Sequence, residues 1–315
     1  MRVYHCPKCR NRVWFNNCTC TCGLMVGYDP DADAMVAEFA PCANRDAIGC
    51  NWIADGDSGF CRSCSMTRTH PDMAVDGNAE LWTRAEAAKR WVIANLIAFG
   101  WFGRNDAGPR PVFKLLSETT RDGPARTVMG HADGLITINV SEADPAEIVA
   151  RRERMEEPYR TMIGHFRHEI AHFLFLRLAA ENAGFEVAFR VMFGDEREDY
   201  GEALKQHYAA EDDGSWRDAH ISHYASAHPH EDWAETAAHV MHLTDLLDSA
   251  QALGFADETP PDNLAAAMDI GLAVNHLNRS MGMEDVYPFV VTELVRQKLD
   301  FAAEALDRSG RQAQS

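Results

Sequence analysis

The stretch Gly164-His165-Phe166-Arg167-His168-Glu169-Ile170-Ala171-His172-Phe173 decides how this chain is read. His168 and His172 are four residues apart, and a glutamate directly follows the first. On an α-helix a four-residue step leaves two side chains about 40° from alignment and one turn apart, so both imidazoles can reach one ion while Glu169 faces a water beside it. The apolar run Phe173-Leu174-Phe175-Leu176 is what a helix passing through a core requires. A catalytic zinc takes three protein ligands and keeps a fourth position for water, so this segment needs one more donor from elsewhere.

The sequence His230-Glu231-Asp232-Trp233-Ala234-Glu235-Thr236-Ala237-Ala238-His239 supplies it. It starts after Pro229, a residue suited to a first helical turn, and its two glutamates, four apart, share one helix face. Glu231 is expected to ligate, and Glu235 to accept a ring N–H from a ligating histidine, as the outer shells of zinc sites commonly do. Asp232 is the chief rival for the third ligand, with His228 and His230 behind it. His165, His239 and His242 are expected to pack or hydrogen-bond around the site. Tyr224, seven residues before Glu231, is placed to lean over the metal and stabilise a developing oxyanion.

All nine cysteines fall between Cys6 and Cys64. In a reducing compartment such a block reads as metal ligation, because its thiolates are not consumed as disulfides. Cys6-Pro7-Lys8-Cys9 is a knuckle that pairs with Cys20 and Cys22, with Cys18 competing for the place of Cys20. Cys42, Cys50, Cys61 and Cys64 form a second set. Four thiolates leave no open position and make structural sites, so zinc is expected three times: one catalytic ion and two structural ones. The region is short and turn-rich, with little apolar periodicity, and metal rather than a core of its own is expected to hold it together.

Composition limits the rest. The formal net charge of -18, from 48 acidic against 30 basic residues, excludes a wide cationic footprint for nucleic acid or an anionic membrane. The sequence after Met1 lacks the basic and apolar regions of a signal peptide, and no long apolar stretch occurs, so a cytoplasmic protein is expected. A helix is predicted from Leu81 through Ala98, and extended chain at Pro109 to Leu116 and Thr127 to Val140. The segment Leu135 to Val140, after the turn Gly130-His131-Ala132-Asp133-Gly134, is a candidate edge strand for an extended peptide. From Pro145 onward the pattern is helical. The expected organisation is a cysteine-rich unit over residues 1–72, an α+β, helix-rich unit with a small sheet over 73–308, and a polar tail at 309–315.

These residues together resemble the bacterial family of zinc-binding metallopeptidases that carry an N-terminal zinc-ribbon domain. The likeness rests on the helix motif, on Tyr224 with Glu231-Asp232-Trp233-Ala234-Glu235, and on the cysteine-rich start. It extends to Gly130-His131 with Ile136-Thr137-Ile138-Asn139, Tyr159-Arg160-Thr161, Phe193-Gly194-Asp195, Asp199-Tyr200 and His228-Pro229. The resemblance implies a zincin-like domain that hydrolyses a peptide or protein substrate, with Glu169 as general base. The tyrosine and glutamate spacing is also similar to that of the lethal-factor type of gluzincin, which implies the oxyanion, ligand and outer-shell roles for Tyr224, Glu231 and Glu235. The long insertion between His172 and Glu231, including Phe189 to Tyr208, departs from thermolysin-like enzymes and leaves the cleft's shape open. A non-catalytic alternative, with the ribbons as a protein-partner module, gives no reason for an intact Glu169.

Overall fold

A computed structural model describes residues 3–155 and 159–308; the polar tail at 309–315 lies outside the described residues. Eight helices of more than two turns run among them: α1 (Asn78–Ala98), α2 (Pro145–Met155), α3 (Met162–Glu181), α4 (Phe185–Phe193), α5 (Tyr200–Ala209), α6 (Pro229–Ala252), α7 (Asn263–Ser280) and α8 (Glu293–Leu306). Together with a small sheet they form an α+β, helix-rich unit, preceded by a cysteine-rich ribbon.

Helix α3 carries the His168 segment. Thr161 caps it by accepting from the Gly164 N–H at 2.9 Å, which satisfies one of the donors every helix start leaves free. Phe166, Ile170, Ala171, Leu174 and Leu178 are buried around most of its circumference. Helix α6 starts with Pro229 at its first turn and the His228 imidazole accepting from the His230 N–H at 3.1 Å. It too buries residues on nearly every side, so the two helices cross in the middle of the core, with α1, α7 and α8 around them.

Four strands, β1 (Thr67–Thr69), β2 (Val112–Leu116), β3 (Gly130–Ala132) and β4 (Leu135–Asn139), form one sheet in the order β1-β2-β4-β3. β2 runs parallel to β1 and β4, and β3 is antiparallel to β4. Alternate residues Phe113, Leu115, Ile136 and Ile138 are fully buried, and the Phe113 ring meets Phe166 of α3 edge-on at 5.6 Å. Each such side chain contributes roughly 1.5–3 kcal/mol on burial.

The segment expected as an edge is therefore internal. Leu135–Asn139 pairs with β2 on one side and with β3 on the other. The two-residue turn Asp133-Gly134, with φ of 49° and 81°, has the left-handed pair that a tight hairpin of this kind requires. It folds Gly130–Ala132 back along β4, and that short strand takes the edge.

The ribbon also differs from expectation, for it does bury apolar residues. Val26 and Trp52 are fully buried, and Tyr28 sits between Phe15 at 4.9 Å and Trp52 at 5.3 Å. These residues follow no helical or strand period, so a periodicity search passes over them. Phe15 meets Trp91 of α1 at 5.2 Å, and Thr67–Thr69, at the end of the cysteine-rich stretch, joins the four-stranded sheet. The ribbon core is continuous with the larger one.

Buried ion pairs anchor α3 away from its histidine face. Arg167 donates to Asp245 at 2.7 Å, which also accepts from Trp91 and Asn95 of α1. Further along, Arg177 forks onto Asp106 with both bonds at 2.8 Å, and Gly108 leaves no room for a Cβ beside that guanidinium. Burial opposes ionisation of Asp106, but Arg177 and the N–H groups of Phe102 and Gly108 hold its carboxyl below the usual range. A depressed carboxyl stabilises the fold above the ordinary aspartate pKa of about 4 and loses that contribution as the pH falls through the lower folded value. Asp106→Ala, which removes the buried carboxylate from Arg177 and leaves it only the more exposed Glu181, is expected to cost about 3 kcal/mol at neutral pH and less in acid, measured by urea unfolding.

Candidate metal centre

The α3–α6 crossing brings three donor side chains together. Donor atoms of His168, His172 and Glu231 lie within 4.8 Å of one another. The two imidazole Nε2 atoms are 3.2 Å apart. Glu231 places Oε2 3.0 Å from His168 Nε2 and Oε1 3.5 Å from His172 Nε2. Glu235 fixes the tautomer of His168 by accepting from its Nδ1 at 2.8 Å, and holds its other oxygen on the Ser222 hydroxyl at 2.7 Å. His168 Nε2 then carries a lone pair directed at its neighbours.

This donor set fits a divalent cation. Glu231 Oε2 is buried and accepts no hydrogen bond, although a ring nitrogen stands 3.0 Å away. Lone pairs facing each other at that distance need a positive charge between them. Burial opposes ionisation of Glu231, yet the imidazoles opposite hold its carboxyl well below the usual range. Two histidines and a carboxylate are a ligand set that zinc accepts while keeping an open position.

Glu169 follows His168 on the same turn and is 7% exposed. Burial pushes its carboxyl above the ordinary range, and its Oε2 has no hydrogen-bond partner. The Tyr224 ring lies 5.9 Å from that of His168, with burial and then the Glu231 charge pushing its phenol up. The edge strand β3 borders the centre, where the His131 ring stacks over His172 at 6.5 Å and 8°. Burial, reinforced by His172, pushes His131 down to about 4.

The other candidates stand outside the trio. Asp232 faces away and pairs with Lys298 at 2.5 Å. His165 bonds Glu142 at 2.7 Å. His228 caps α6, and His230 packs edge-on against Phe175 at 4.7 Å. His239 meets the Tyr287 hydroxyl at 3.0 Å, while His242 joins Tyr159 and Arg167 at 2.6 and 2.7 Å. Two residues at the site are given no role by residue spacing. Ser222 has no motif around it. Tyr200, from the insertion, donates its hydroxyl to Glu231 Oε1 at 2.7 Å, and only the family likeness of Asp199-Tyr200 pointed towards it.

Trp233, fully buried between the two glutamates of α6, donates its indole N–H to the Ala171 carbonyl of α3 at 2.9 Å. That bond sets the register of Glu231 against the histidines.

The cysteines gather into two four-thiol groups, Cys6, Cys9, Cys20 and Cys22, and Cys42, Cys50, Cys61 and Cys64. Sulfur separations of 3.8 and 3.5 Å in the first and 3.6 and 3.8 Å in the second match the edge of about 3.8 Å that a tetrahedron with zinc–sulfur bonds of about 2.3 Å requires. Cys18 stays outside, its thiol 3.4 Å from the Gly49 carbonyl. Backbone N–H groups of Cys61 and Cys64 point at the sulfurs of Cys42 and Cys61, each at 3.3 Å, and Arg90 of α1 buries its charge near the same group.

Comparison with known proteins agrees with this chemistry. The profile of the family described as "Putative zinc-binding metallo-peptidase" matches residues 78–305. The chain belongs to that family. A zinc-ribbon domain profile matches twice, at 3–39 and 33–75, one match for each four-cysteine group. The chain is similar to the uncharacterized protein Mb2598c of Mycobacterium bovis and the uncharacterized protein Rv2568c of Mycobacterium tuberculosis, each 37% identical over 98% of this chain and 96% of the relative. No solved structure matches it significantly. None of the described helices of this family member is long and apolar enough to cross a membrane.

Trp233→Phe keeps an aromatic ring but removes the donor to Ala171. It is expected to lower unfolding free energy by about 2 kcal/mol, from the lost bond and a small void. A urea midpoint equal to that of the wild type would show that the indole bond contributes nothing to the crossing.

Proposed function

We propose that this chain is a gluzincin-type zinc metallopeptidase that hydrolyses peptide bonds, with His168, His172 and Glu231 as the zinc ligands. One observation carries the reading: three donor atoms converge within 4.8 Å beside a buried Glu169 carboxylate oxygen that has no hydrogen-bond partner. A scaffold gains nothing from such a carboxylate, whereas a hydrolase needs a base of raised pKa at that position.

When bound, zinc supplies Lewis acidity, making water more acidic and a carbonyl more electrophilic. Glu169 takes the proton from the attacking water and returns it to the leaving amine. Tyr224 donates its phenolic hydrogen to the oxygen on which charge develops. Glu235 and Ser222 hold the His168 ring so that its Nε2 stays deprotonated. The edge strand β3, which borders His172, is where an extended peptide or protein substrate would pair by adding a strand. In this reading residues 1–72 hold two structural zinc ions and offer a surface to a protein partner, residues 73–308 hold the catalytic ion, and the enzyme works in the cytoplasm.

The test is a single isosteric change assayed with a proteome-derived peptide library read by mass spectrometry. Glu169→Gln is expected to keep the wild-type zinc content of about three ions and to lose at least about a hundredfold in peptide cleavage. Cleavage by Glu169→Gln at the wild-type rate, or a library left intact by the wild-type protein, would contradict the proposal.

A further inference from the structure

Helix α5 lies in the long insertion between α3 and Glu231, and it is a surface element: none of its residues is buried. Asp199 caps it by accepting from the Glu202 N–H at 2.8 Å. Its first residue, Tyr200, is 44% exposed, yet it reaches the most deeply enclosed carboxylate of the site. The Tyr200 hydroxyl donates at 2.7 Å to Oε1 of Glu231, a residue 1% exposed. The ring rests edge-on against His228, the cap of α6, with centroids 5.2 Å apart.

The two oxygens of Glu231 consequently differ. Oε1 is occupied by a phenol. Oε2 accepts no hydrogen bond and faces His168 Nε2 at 3.0 Å. A carboxylate free at both oxygens can bind a metal through either or both, and binding through both would use a coordination position that water and substrate need.

We propose that Tyr200 is a positioning residue for the metal ligand: by occupying Oε1 it presents Glu231 to the ion through Oε2 alone and keeps the fourth position open. The inference rests on the ligand assignment above and adds to it a function for the insertion. The surface helix is there to deliver one hydroxyl to the outer shell of the site. Outer-shell partners of this kind are worth about 10–100-fold in metal affinity when removed.

The experiment uses the full-length protein and zinc alone. Zinc is buffered by a competing chelator, and the ion followed is the one whose binding His172→Ala and Glu231→Gln abolish. Tyr200→Phe retains the ring on His228 and removes only the hydroxyl, so the affinity for that ion is expected to fall about tenfold or more. Lys205→Ala, at an exposed position of the same helix, is expected to leave it unchanged. Tyr200→Leu separates ring from hydroxyl: the proposal requires it to bind no better than Tyr200→Phe. An affinity for Tyr200→Phe within about twofold of wild type overturns the inference, and so does a Tyr200→Leu that alone is weak. If His172→Ala and Glu231→Gln both retain every zinc ion, the ligand assignment falls and this inference with it. If they lose one while Tyr200→Phe does not, the inference alone falls.

Discussion

The structure depends on one crossing, that of α3 over α6. Trp233 spans it with an indole bond to the Ala171 carbonyl, one residue before His172, and Glu235 spans it again with a bond to His168 Nδ1. A slip of one helical turn moves a side chain about 5.4 Å along the axis, farther than the whole spread of the three donor atoms. The crossing therefore has to be fixed in register as well as in angle. A buried tryptophan whose one polar atom must find one acceptor does that, since leaving the indole N–H unpaired in the core costs about 1–3 kcal/mol.

Around the crossing, α3 divides its labour by face. One face presents His168, Glu169 and His172. The remainder is apolar or tied by buried arginines, Arg167 to Asp245 and Arg177 to Asp106. Those pairs matter less for net stability than for uniqueness of placement, because a displaced helix would leave guanidinium groups unpaired in the interior. The site itself gathers Glu169, Glu231 and Glu235 around two imidazoles. With no cation, the two carboxylates beside His168 push its pKa well up despite its burial; a divalent ion meets the same electrostatic demand and leaves both rings neutral. Helix order, charge and tautomer thus agree on what belongs between these side chains.

Much of this was legible in the residues and some was not, for identifiable reasons. Helices α3 and α6 and the pairing of Glu231 with the histidines followed from local spacing, because a four-residue period places atoms directly. A turn before Leu135 was visible, but it was expected over the whole of Gly130 to Gly134, whereas only Asp133-Gly134 turns and Gly130–Ala132 is a strand. Which strand of the hairpin lies at the sheet edge was not visible, since that depends on the parallel pairing of β4 with β2 across intervening chain. The ribbon's aromatic core was missed because Tyr4, Phe15, Tyr28 and Trp52 are brought together by turns rather than by a period. Cys18 and Cys20 are equivalent in spacing rules and differ only in where the loop turns. Tyr200 and Ser222 reach the site through tertiary folding of the insertion, and no local pattern encodes that.

The most direct measurement is a crystal structure of the full-length protein with diffraction collected on both sides of the zinc absorption edge. The account predicts an anomalous peak about 2.0–2.2 Å from Nε2 of His168, Nε2 of His172 and one oxygen of Glu231, with a solvent-filled fourth position facing Glu169. A zinc-loaded crystal with no peak there, or with Glu231 turned away from the histidines, would contradict it.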